Sequence, residues 1–131
     1  QAGVGPLIDA GCDIPGLHTG DTSRVALEAY PGLLAREVLG RRSYKADDKA
    51  RQDDARRVAR TELVDALQAG HTRLALRLKL TPEQRTALID EPQGDLLDAV
   101  LCLMQAGWAS QRTGWGLPAD MDPLEGWIVS A

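Results

Sequence analysis

The sequence contains no phenylalanine, and aromatic residues make up only 4% of it. Its core must therefore be built mainly of Leu, Val, Ile and Ala. Cysteine is nearly absent as well. Cys12 and Cys102 lie in no paired spacing of the kind that holds zinc, and two are too few for a disulfide framework. Cys102 falls within an apolar helical stretch, where a reduced, buried thiol is expected, and that points to a cytoplasmic setting. No apolar run approaches the length needed to span a membrane, and no signal peptide is visible, so a membrane partner is not expected. The chain begins with Gln1 rather than Met, which leaves an absent leader uninformative.

What is present is an ordinary globular composition. The chain has 131 residues, 44% of them hydrophobic, enough for one core and one domain over residues 1–131. The net charge of −4 hides an asymmetry. Residues 36–60 hold nine basic and five acidic side chains, a net +4 inside an acidic protein. Such a segment reads either as a phosphate-binding surface or as a solvated helix face with internal ion pairs.

Hydrophobic spacing predicts a mixed order of elements. A weak helix is expected over 1–12, interrupted by Gly5-Pro6, and a Gly- and Pro-rich loop over 13–22. Residues 23–29 read as a strand that runs into Tyr30-Pro31 and a helix over 31–39, closed by Gly40. After a basic loop at 41–46, a long helix is expected from Asp47 or Asp48 to Ala69. Leu74, Leu76, Leu78 and Leu80 alternate without a break, which argues for a second strand over 72–80. Thr81-Pro82-Glu83-Gln84 then carries the signature of a capped helix start, and that helix runs to about Ile89. The tail GWIVSA reads as a short strand or a packed extended segment. Strands separated by helices imply parallel pairing in a helix-rich α/β domain with a small sheet.

The stretch over 94–109, GDLLDAVLCLMQAGWA, gathers these expectations. Leu97, Val100, Leu101, Met104 and Trp108 give one apolar face at helical spacing. Asp95 and Asp98 open it. One reading makes Asp95 the N-cap and lets Asp98 answer the helix dipole. The other makes them ligands of a metal ion. Glu28, at the end of a strand before a helix, lies where ligands gather in open α/β sheets, and it can equally be an exposed strand-end acid.

The succession VALEAYPGLL (25–34), the Ser43-Tyr44-Lys45 loop, an Arg-rich helix, GDLLDAVLCLMQA (94–106) and EGWIV (125–129) resembles the predicted nucleases of domain-of-unknown-function family 429. The resemblance covers Arg24 to the C-terminus and implies a ribonuclease-H-like fold. It further implies that Glu28, Asp98 and Asp95 are catalytic and metal ligands for magnesium or manganese in phosphodiester hydrolysis. Lys45, Arg51 and Arg42 become candidate contacts to nucleic acid. In that fold the sheet opens with an antiparallel meander whose first strand carries an essential Asp, and these 131 residues offer no counterpart. The chain is accordingly expected to be the C-terminal part of a larger ribonuclease-H-like domain, a partial fold lacking its N-terminal meander. A homodimer could complete such a sheet, because exposed edges invite pairing.

Two functions of different class follow. One is a metal-dependent nuclease-like protein acting on nucleic acid, inactive if this piece stands alone. The alternative is a noncatalytic interaction or regulatory module on the same scaffold. Two hard cations need carboxylate oxygens brought from separate elements, so the first reading expects Glu28 and Asp98 to converge within roughly 4–8 Å.

Overall fold

Four helices and one extended leg enclose the core, and the sheet stands beside it. The computed structural model describes residues 3–131. In chain order it has α1 (Val4–Asp9), β1 (Cys12–Asp13), β2 (Asp21–Val25), α2 (Pro31–Leu39), α3 (Asp54–Ala69), α4 (Pro82–Asp90) and α5 (Asp95–Ser110). Short 3-10 turns occupy Lys49–Arg51 and Thr113–Gly116. The architecture is mixed α/β and rich in helix, as the sequence pattern implies. The helix expected over 1–12 is present from Val4, and its first two positions lie outside the described residues.

The helix ends follow local chemistry. Pro31 enters α2 at its first turn, and Gly40 closes it with a positive φ of 63°. Thr81 and Gln84 form a complete capping box at the start of α4. The expected long helix from Asp47 is instead two pieces. Asp48 accepts from the Ala50 amide and caps the 3-10 turn; Asp53 then accepts from the Arg56 amide and caps α3. Two aspartates with capping geometry five residues apart compete for the helix start, and each takes one.

The sheet also departs from expectation. β1 and β2 pair in parallel, joined by the tight loop 14–20. A Cβ on Gly20 would stand 2.4 Å from the Cys12 carbonyl oxygen, so only glycine permits this approach. The strand read over 23–29 begins at Asp21 and ends at Val25; beyond it Glu28 makes an isolated parallel bridge to Ile128. Residues 72–80 form no strand. Leu74 is buried, and Leu76, Leu78 and Leu80 pack against the helical core, so the alternation marks a buried face correctly. The leg's backbone is bent by a turn at Thr72–Ala75, where Ala75 has a φ of 54°, and the Leu78 amide donates to the Leu67 carbonyl at the end of α3. Alternation determines which side chains are buried; it does not supply a neighbouring strand.

The core joins Leu34 and Leu39 of α2, Leu63, Val64 and Leu67 of α3, Leu88 and Ile89 of α4, and Leu97, Leu101 and Met104 of α5. Gln105 is fully buried on α5 and donates to the Tyr30 carbonyl and the Ser130 hydroxyl, which binds the tail to the start of α2. Among the described residues no helix is long and apolar enough to cross a membrane. Leu101→Ala, at a fully buried position, is expected to lower unfolding stability by about 2–5 kcal/mol. Leu103→Ala, at a side chain 65% exposed, should shift it by about 0.5 kcal/mol or less. Urea unfolding of the two variants checks both values.

Candidate functional site

The basic loop 41–46 lies on α5 because glycine lets it come close. Gly94, the N-cap residue of α5, has a φ of 75°, and a Cβ there would stand 2.7 Å from the Cβ of Lys45. The Ala46 amide donates to the Pro92 carbonyl at 3.1 Å and fixes the approach. Asp95 is therefore the first helical residue of α5 and not its cap. The capping role falls to Glu91, whose carboxylate accepts from the Leu96 amide at 2.8 Å.

Asp98 is the acid that this arrangement collects. The Tyr44 hydroxyl donates to one of its oxygens at 2.5 Å, and the Lys45 ammonium holds the other. Tyr44 is only 7% exposed, and its main-chain carbonyl accepts from Arg60 at 3.0 Å. Arg60 also donates to the Ile89 carbonyl at 2.6 Å, so one buried guanidinium joins α3, the end of α4 and the loop. Burial lowers the pKa of Arg60 from its usual value. Burial, then the hydrogen bond to Asp98, pushes the Tyr44 phenol well above the ordinary tyrosine range. The hydrogen bond to Asp98 raises Lys45, with added pull from the charges of Asp98, Asp95 and Asp47.

Beside this cluster runs an open groove of about 730 Å³ between the start of α2 and the loop. Its walls carry Arg36, Arg41, Arg42 and Lys45, with Tyr30 and Tyr44 among them and no acidic residue. Arg42 is paired with Glu62, and Lys45 with Asp98. Arg36 and Arg41 make no ion pair with any described residue. Arg51 lies outside the groove, on the 3-10 turn before α3.

Glu28 has different neighbours. Its main-chain carbonyl accepts from the Val129 amide at 2.8 Å. Its carboxylate lies near Gly126, where a Cβ would stand 3.4 Å from Oε2. It forms part of the wall of a separate, largely apolar cavity of about 280 Å³ between α1, the loop 14–17 and the tail. The magnesium or manganese that the resemblance implies does not fit the acids as they stand. Among the described residues no group of three or more His, Cys, Asp or Glu could hold a metal ion. An ammonium already lies on Asp98, and the Glu28 carboxylate belongs to another cavity. Asp122 is engaged locally, accepting from the Leu124 amide in a turn.

Sequence reasoning singled out Asp98, Lys45 and Arg42, and the structure brings these to one region. It missed Tyr44 as the partner of Asp98 and Arg60 as an internal brace. Each had one signal: a lone tyrosine flanked by cations in RRSYK, and an arginine in step with Leu63, Val64 and Leu67 on the apolar side of α3. Comparison with protein-family models, curated proteins and solved structures gives no match.

The elevated pKa values of Tyr44 and Lys45 have a definite sign. The folded state keeps both protons where the unfolded chain releases them, near pH 10. Their stabilising contribution is full below that pH and declines as pH rises through it. The difference in urea midpoint between pH 8 and pH 11 should therefore be smaller in Tyr44→Phe than in the unaltered protein. Equal differences in the two would show that Tyr44 does not report this burial.

Proposed function

We propose that this protein is a nuclease-like protein, on a partial ribonuclease-H-like scaffold, that engages nucleic acid through its phosphodiester backbone. The observation that carries this reading is the groove beside Asp98. Four cationic side chains line it, no acid interrupts them, and two of the four are free of ion pairs with described residues. In a chain of net charge −4, such local concentration attracts a polyanion where the surface as a whole would repel it. Arginines suit phosphate because the planar guanidinium offers paired donors. The scaffold reading draws support from the parallel bridge between Glu28 and Ile128, which joins the Tyr-Pro segment to the EGWIV tail.

The resemblance adds hydrolysis with magnesium or manganese, which the acids as they stand do not fit and which would require them to be brought together. In this part of the reading Asp98, Asp95 and Glu28 are the acids concerned. Lys45 belongs to both parts of the site: its ammonium neutralises Asp98, and the residue lines the groove. A phosphate entering the groove would compete with Asp98 for that ammonium and so free the carboxylate. Binding and exposure of the acid are thereby coupled.

A second reading is favoured by one observation, the engagement of both Asp98 oxygens by Tyr44 and Lys45. Under it the acid is a structural anchor for the loop, and the protein binds nucleic acid without cutting it. A cleavage assay on DNA and RNA with magnesium or manganese separates the two. The nuclease reading expects metal-dependent cleavage that falls at least tenfold in both Asp98→Asn and Glu28→Gln. Cleavage unchanged in both variants removes these acids from the reaction. Binding without cleavage by the unaltered protein decides for the noncatalytic module.

A further inference from the structure

The groove contains one feature that phosphate binding does not use. Tyr30 is 40% exposed on its wall, although it sits at the junction between the extended segment and α2. Its main chain is fixed from within by Gln105. Its ring lies close over Gly32, where a Cβ would stand 3.0 Å from the ring and its hydroxyl. The Arg36 guanidinium lies over the ring at 6.0 Å from its centroid, the outer limit of cation–π attraction. An exposed aromatic ring on the wall of a cationic groove, with a guanidinium free of ion pairs with described residues beside it, offers a face on which a flat group can stack.

We propose that this groove takes single-stranded nucleic acid, with one unpaired base stacked on Tyr30 beside Arg36 and the flanking phosphates held by Arg41 and Lys45. The inference rests on the nucleic-acid reading above and deepens it. A duplex buries its base faces against their neighbours, so it cannot offer one to Tyr30 without unstacking. An unpaired strand presents both a π-face and a flexible backbone, and a stacking platform within a positive groove recognises that combination with little sequence preference. Tyr44 cannot serve in its place, because its ring is buried and its hydroxyl is committed to Asp98.

The test is fluorescence anisotropy with labelled 12-residue single strands of DNA and RNA, and the matching duplexes, in EDTA so that cleavage plays no part. Single strands are expected to bind more tightly than duplex. Tyr30→Ala should weaken single-strand binding by roughly fivefold to a hundredfold, and Tyr30→Trp should retain it. Arg41→Gln should lower the slope of log affinity against log salt by about 0.7, and Tyr30→Ala should leave that slope unchanged. Circular dichroism establishes that the variants are folded. Single-strand affinity within twofold of the unaltered protein in Tyr30→Ala overturns the stacking site. So does equal competition by inorganic polyphosphate, which has charge but no bases. If Arg41→Gln still weakens binding in either case, the phosphate reading survives. Absence of binding to any strand or duplex removes both.

Discussion

The fold depends most on how Tyr44 is held. Its hydroxyl is tied to Asp98 at the start of α5, and its carbonyl is tied to Arg60 in the middle of α3. Those two bonds clamp a basic loop between helices that are distant in sequence. The loop carries Arg41, Arg42 and Lys45, which would otherwise separate by mutual repulsion. Asp98 compensates Lys45 and Glu62 compensates Arg42, while Arg41 is left without a described partner. Removing one partner of a buried hydrogen-bonded group costs more than the bond contributes, since the other is left unsatisfied. The same acid that looks like a metal ligand in the sequence thus has a mechanical role here.

Charge and shape reinforce one another around that clamp. Arg60 occupies a core position because both of its hydrogen bonds reach main-chain carbonyls, which satisfy it without requiring a buried acid. The remaining cations of the segment face solvent or acids, as Arg57 faces Asp90 and Arg56 faces Asp53. Much of the basic segment is therefore a solvated surface on which Arg42, Lys45, Arg56 and Arg57 are ion-paired, and such exposed pairs add little stability. In the groove, Arg36 and Arg41 lie together on a wall that carries no acid.

Much of the helical framework was legible because its signals are local. Pro31 and Gly40 bracket α2, Thr81 with Gln84 opens α4, and Gly70 ends α3 with a left-handed φ of 74°. Asp48 and Asp53 show the limit of that reading, since each is a good cap and only their competition decides where α3 begins. The leg over 72–80 shows another. Its leucines do mark the buried face, but among the described residues no strand pairs with them. Strand pairing is a property of distant segments, and periodicity carries no information on it. The candidate site divides in the same way. Asp98 and Lys45 were each visible as residues of the right type, and their meeting across 53 positions was not. The missing side chain of Gly94 permits that meeting.

The most direct measurement is a map of backbone amide chemical shifts during titration with a short single strand in the absence of divalent metal. Perturbations are expected to concentrate at Tyr30, Arg36 and residues 41–45, with the Asp98 amide moving as Lys45 is drawn toward phosphate. The exposed surface of α4 should remain silent. Perturbations confined to other faces, or none at concentrations where binding saturates, would contradict the claim that the groove beside Asp98 is where this protein meets its ligand.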